Sequence, residues 1–224
     1  MLAALAPLVL VGCVLAPGKF VSTLTVDADR SFTFTYRGEM FAIDFGDEFA
    51  SGMNKAFDGG ETADDTEEEA EPDPAKQAEK DRQYRAMAEA LRKEAGYRSV
   101  SYEGDGRFLV DYAISGTLTH NFVFPYNHDA EAVFPFMAIE LRGKDLVRVK
   151  APGYSASDSS GSPGSSKVSS RLDGTFTLTT DAAIVSQNSE TGATSENGRS
   201  TLRWRATPLT KDAPMAVLRV AALP

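Results

Sequence analysis

Ser31-Phe32-Thr33-Phe34-Thr35-Tyr36-Arg37 alternates without a break. Phe32, Phe34 and Tyr36 share one parity, and Ser31, Thr33 and Thr35 share the other. A period of two is the mark of a β-strand. One aromatic and one hydroxyl face predict a strand packed on one side and wet on the other. Just upstream, Phe20 to Asp27 sets Phe20, Leu24 and Val26 on a common parity, and Asp27-Ala28-Asp29-Arg30 supplies turn residues. The two runs predict a β-hairpin with one buried face.

Downstream the period changes. Phe41, Phe45, Phe49, Met53 and Phe57 recur every four residues, which predicts an amphipathic helix, against the grain of Gly46 and Gly52. Nine carboxylates and no Lys or Arg then lie between Asp58 and Asp73, a composition that predicts a solvated, disordered insert. Weak calcium binding is the alternative reading of that run, although the ordered spacing of a calcium loop is missing. A second helix is expected after it. Asp73 can cap it, Pro74 suits its first position and Gly96 can end it. Its apolar stripe is Tyr84, Met87, Ala88, Leu91 and Ala95, and Asp81–Arg85 and Glu89–Lys93 are spaced to pair.

The rest reads as strand. Arg98–Glu103 and Arg107–Ile114 flank Gly104-Asp105-Gly106, a hairpin signal. Thr117–Phe124 puts Leu118, His120, Phe122 and Phe124 on one parity. Val133–Arg142 and Asp145–Lys150 flank Gly143-Lys144. Residues 154–170 are rich in Ser and Gly and read as a flexible loop. Four more strands are expected at 174–180, 182–187, 199–207 and 215–221. The fold class is thus α+β: an antiparallel β-rich sheet of about eight or more strands, with two helices from one insertion packed on a face.

The amino-terminal segment is of another kind. Leu2 to Gly12 is uncharged and holds Pro7. It is shorter than the roughly 20 residues a membrane span needs, and it suits the apolar region of a signal peptide. It ends in Leu10-Val11-Gly12-Cys13, which resembles the bacterial lipobox. Val11 stands where that pattern prefers Ala or Ser, and no Lys or Arg precedes the run. The resemblance implies cleavage after Gly12, a diacylglyceryl thioether on Cys13 and acylation of the new amino terminus. The competing reading is an ordinary signal, or a buried strand with an incidental cysteine. On the lipobox reading, 1–12 is a lipoprotein signal peptide and 13–224 a single soluble α+β domain. That domain carries the acidic insert 58–73 and the Ser/Gly-rich loop 154–170.

The strand Val21-Ser-Thr-Leu-Thr-Val-Asp, the aromatic strand Phe32-Thr-Phe-Thr-Tyr, the helical insertion and the further sheet together resemble the LppM-type domain of bacterial envelope lipoproteins. Tyr36-Arg-Gly-Glu and the Gly116-x-Leu118-Thr-His120 stretch are similar to segments of Gram-negative lipoproteins. Neither resemblance brings a catalytic residue. The first implies lipid-like ligands. Val14 after the cysteine, with no Asp there, implies the outer membrane, with the domain facing the periplasm.

Charge and cysteine usage narrow the function. The net charge of −9 is local, for acids and bases outside the acidic insert balance at 23 each. No basic field suits nucleic acid. The single cysteine, if acylated, leaves no thiol nucleophile, redox pair or zinc–thiolate site. Neither a nucleophile elbow nor a His-Glu-x-x-His helix nor a phosphate-binding glycine loop is present. Of the two histidines, His120 reads as a core residue by parity, and His128 lies beside Asp129 in a turn. A His120/His128/Asp129 metal site would need strand and turn to fold together. Trp204, between Arg203 and Arg205, is a core anchor or a headgroup site. No cofactor is implied. Two functions remain. One is a non-catalytic binding or structural module, tethered to the membrane by lipid and contacting an apolar ligand or an envelope protein through Phe34, Tyr36, Tyr112, Phe122 and Trp204. The other is an envelope hydrolase using His120 or the His128/Asp129 cluster.

Overall fold

The computed structural model describes residues 14–43, 74–126, 135–156 and 170–223. Its seed is the expected hairpin, extended at its open end: β1 (Val14–Val26) pairs antiparallel with β2 (Ser31–Ile43), from Val26↔Phe32 at the turn to Val14↔Ile43. The turn is closed by Asp27 N donating to the Ser31 carbonyl and Arg30 N to the Asp27 carbonyl, both 2.9 Å. The Ser31 hydroxyl and amide donate to Asp29 and hold its carboxyl below the usual range. The register slips between Pro17 and Phe20. Opposite the slip, Gly38 has φ +155, and a Cβ there would stand 2.2 Å from the Lys19 carbonyl oxygen. Only glycine fits so close a backbone approach.

Ten further strands follow among the described residues: β3 (Tyr97–Tyr102), β4 (Arg107–Thr117), β5 (Phe122–Phe124), β6 (Met137–Arg142), β7 (Leu146–Lys150), β8 (Asp173–Thr180), β9 (Ala183–Gln187), β10 (Thr194–Glu196), β11 (Arg199–Ala206) and β12 (Met215–Arg219). They form two sheets, in the orders β10-β11-β8-β1-β2-β4-β3 and β5-β6-β7-β12-β9. Two expectations are corrected here. There are two sheets instead of one, and the larger is mixed, because β8 runs parallel to β1. The aromatic face of the first hairpin is covered mainly by the second sheet, with Phe34 and Tyr36 of β2 meeting Phe122 and Phe124 of β5.

One helix lies among the described residues: α1 (Pro74–Leu91). It buries Tyr84, Ala88 and Leu91 and covers the far end of the same sheet face, with Tyr84 against Phe108 and Tyr102. The stripe was read correctly up to Leu91; Ala95 is exposed beyond the helix. Gly96 does not cap it. Gly96 has φ +95 and lies under Tyr112, whose ring a Cβ would approach to 2.5 Å. The acidic partners also differ from expectation: Glu79 and Glu89 bridge Arg82 and Arg92 at i,i+3, Asp81 accepts from the Tyr102 hydroxyl, and Arg85 lies over the Tyr102 ring. Of the other expected helix, Phe41 belongs to β2, and residues 44–57 lie outside the described residues, as do Asp73 and the acidic insert.

The expected strand 117–124 is broken. β4 ends at Thr117, the amide of Leu118 donates to the Arg30 carbonyl at 2.9 Å, and the chain crosses to the second sheet before Phe122. A second crossing joins β8 to β9, where the Ala182 amide donates to Thr180 Oγ1 at 2.9 Å. β10, polar and exposed throughout, was not expected. Tyr154 does not belong to a loose loop: it ends a 3-10 turn, Pro152–Tyr154, and is fully buried, whereas 157–169 lie outside the described residues.

Candidate functional site

The candidate ligand-facing residues fall within the apolar layer between the sheets. Phe34 and Tyr36 are fully buried, Tyr112 and Trp204 nearly so, and Phe122 is half-buried. Phe34, Tyr36, Tyr112 and Phe122 form one cluster around Phe124, whose ring lies 4.5 Å from Tyr112, 5.0 Å from Phe34 and 5.3 Å from Tyr36. Trp204 stands apart, stacked on Phe176 at 5.4 Å. The two groups are joined ring to ring: Phe176 to Tyr154 at 5.6 Å, Tyr154 to Phe20 at 4.3 Å, Phe20 to Tyr36 at 5.4 Å. The alternation of β1, β2 and β4 pointed to most of this layer. It could not show that Tyr154, in a Ser/Gly-rich context, is its central link.

Trp204 resolves as a core anchor. Its indole N–H donates to Asn188 Oδ1 at 3.0 Å, while Arg203 and Arg205 face outward. That is the usual arrangement of a buried Trp, whose one donor needs a partner.

The polar atoms of the layer are few. The Tyr36 hydroxyl donates to the Glu39 carbonyl at 2.7 Å. The Ser22 hydroxyl, beside Tyr154, gives its hydrogen to the Thr35 carbonyl at 3.0 Å, and among the described residues the Tyr154 hydroxyl has no partner at hydrogen-bonding geometry. Burial pushes Tyr36, Tyr97 and Tyr154 well up from the ordinary phenol value and Tyr112 up to about 12. These hydroxyls are therefore neutral donors and acceptors at physiological pH, not bases.

At the turn end of β1–β2 lies a charged group that the sequence reading missed. Arg30 is buried, with φ +75. Its Nε donates to the Leu118 carbonyl at 2.8 Å and its Nη1 to the carbonyls of Ala221 and Lys144 at 2.7 and 3.4 Å, while Nη2 has no partner among the described residues. The guanidinium thus ties the first hairpin to the β6–β7 turn and to the segment after β12.

His120 is exposed, contrary to the core reading, because the strand that would have carried it inward ends at Thr117. Its Nδ1 lies 3.1 Å from Thr119 Oγ1. His128 and Asp129, of the candidate metal site and hydrolase cluster, lie outside the described residues. Among the described residues no three His, Cys, Asp or Glu side chains are grouped to hold a metal ion. No described helix is long and apolar enough to cross a membrane. Cys13 precedes the described residues.

No family model matches the sequence. No curated protein matches it either. Among solved structures, the NMR structure of the folded domain of Mycobacterium tuberculosis LppM is similar to it at 18% identity, with a TM-score of 0.35 over 93% of this chain and 92% of that one. The likeness is distant and carries no argument about function, which has to come from this chain's own residues.

Proposed function

We propose that this chain is a lipid-anchored envelope protein, held at the periplasmic side of the outer membrane through Cys13, whose domain works as a non-catalytic binding or structural module. The observation that carries the reading is the uncharged run Leu2–Gly12 ending in Leu10-Val11-Gly12-Cys13, with the only cysteine of the chain at its end. One acyl chain gives marginal membrane residence and two or more give stable anchoring, so the modification implied by the lipobox accounts for attachment without a spanning helix. An apolar ligand would enter by parting the rings of the aromatic layer, which is closely packed as it stands. An envelope protein docking on the sheets is the other form of the same reading.

The test is metabolic labelling with a fatty acid in an exporting host. The wild type takes up label and fractionates with membranes, whereas Cys13→Ser takes up none and accumulates as precursor or soluble protein. Export of an unlabelled, processed wild type overturns the proposal. Native mass spectrometry of cell-extracted protein then separates the two forms: a bound lipid-like mass supports the ligand, and its absence leaves the partner-binding module.

A further inference from the structure

Arg30 stands in the turn of the first hairpin, and the segments around it are joined through the backbone. The Leu118 amide donates to the Arg30 carbonyl at 2.9 Å, the Ala221 amide to Ala28 at 2.6 Å and the Leu223 amide to Lys144 at 2.9 Å. The Arg30 side chain runs inward between these segments. Nε donates to Leu118, and the two hydrogens of Nη1 serve Ala221 and Lys144. Both hydrogens of Nη2 are unused among the described residues, on a side chain that is almost wholly buried.

Burying an unpaired charge is costly, so a buried cation normally has an anion against it. Carboxylates are at hand here, yet each is engaged elsewhere. Asp27 accepts from Arg199 and from the Ser31 hydroxyl. Asp29 accepts from the Ser31 amide and hydroxyl. Asp145 bridges Arg219, and Asp181 accepts from the Ala28 amide. Arg30 thus carries its positive charge inward with carbonyls as its partners among the described residues. Lys144 is exposed on the β6–β7 turn, and its ammonium adds to the positive potential.

The hydrogens left over decide what fits. A carboxylate or a phosphate is held best by a fork of parallel N–H groups on two nitrogens. At Arg30 that fork is spent, since Nε and Nη1 already give to carbonyls. One nitrogen remains, which suits a single small acceptor. The carbonyl oxygens around it oppose a multiply charged group. The surrounding segments are surface ones, for Asp29, Thr119, Lys144, Ala221 and Ala222 are exposed. A small ion can reach Nη2 by a local lifting of the tail after β12, which the Ala221 and Leu223 amides pin.

We infer that Nη2 of Arg30 holds a chloride-sized monovalent anion, which neutralises the guanidinium and secures the join between the first hairpin and the tail. The site is independent of how the chain is anchored. A ligand that binds only the folded state stabilises it as the site fills, so chloride contributes to the stability of this end of the sandwich.

The experiment compares thermal melts of the full chain in sodium chloride and in sodium gluconate at one ionic strength, so that screening is the same in both. The wild type should melt several degrees higher in chloride, and the gain should saturate as chloride replaces gluconate. Arg30→Asn removes the charge and keeps a residue type that tolerates φ +75; its melting should be the same in the two salts. Chlorine NMR on the wild type is the second measurement and needs no variant. The chloride line should broaden with folded protein and sharpen again on addition of excess bromide. Equal melting of the wild type in both salts, or a chloride line that does not broaden, overturns the site and leaves Nη2 to water. A chloride effect that persists in Arg30→Asn overturns it as well, since the ion then binds elsewhere.

Discussion

Arg30 Nη1 donates to the Ala221 carbonyl at 2.7 Å, across 191 positions of sequence. Among the described residues no carboxylate bonds this guanidinium, although it is 4% exposed; carbonyls of three other segments hold it. Hydrogen bonds to a buried cation are each worth about 1.5–3 kcal/mol. Arg30→Ala leaves these carbonyls without their donor and should destabilise by about 3 kcal/mol or more, read as a lower denaturant midpoint. Because φ is +75, Arg30→Gly should be less damaging than Arg30→Ala by about 1 kcal/mol. Identical midpoints for the two variants would contradict the backbone part of this account.

Gly38→Ala tests the close approach beside the register slip. A Cβ at this site meets the Lys19 carbonyl oxygen at 2.2 Å and Phe20 Cα at 2.6 Å, both backbone atoms that cannot rotate away. Gly143, with φ +63, has nothing within 4 Å of a Cβ. Gly143→Ala should cost about 1 kcal/mol, and Gly38→Ala several times that. Thermal melts of the two variants side by side decide it.

The aromatic layer should respond as a packed core. Phe34→Ala is expected to cost about 3–5 kcal/mol. The rings of Phe34 and Phe124 are 5.0 Å apart, so the double truncation should cost less than the sum of the singles, because each removes part of the other's partner. Strict additivity in chemical denaturation would mean that the rings are not in contact in solution.

Alkali offers a fourth check. Tyr36, Tyr97, Tyr112 and Tyr154 have folded values above the 10.0 of a free phenol, chiefly through burial. The folded state therefore holds these protons more tightly than the unfolded chain. Their contribution is fully present below pH 10.0 and is lost as pH rises through the folded values. Stability should fall steeply above that point, and the buried fraction of tyrosinate absorbance should appear only with unfolding. Ionisation of all tyrosines near pH 10 with the fold intact would show that the layer is open to water.

Local pattern made the first hairpin legible, for the alternation from Ser31 to Tyr36 leaves no other assignment. The helix to Leu91 was legible for the same reason, at a different period. Parity misled between Thr117 and Phe124. Leu118 and Phe124 are both buried, but they belong to either side of a crossing between sheets, and alternation carries no mark of a change of partner. His120 was drawn into the core by that error. The pairing of β1 with β8 had no local signal either, since the partners are remote in sequence and each reads simply as a half-buried strand. Arg30 was read as a turn residue, which it is; that its side chain turns inward depends on carbonyls supplied by three other segments.

The placement of β1 bears on how the chain reaches this state. It is the first strand described, yet it lies inside its sheet, with β2 on one side and β8 on the other. Synthesis delivers β2 at once and β8 far later. Until Asp173–Thr180 arrives, the backbone groups of Lys19 to Thr25 on that side have no strand to pair with. A bare edge is a template for another chain, and pairings between remote segments form slowly. The newly made chain is thus open to strand exchange with its own copies in that interval.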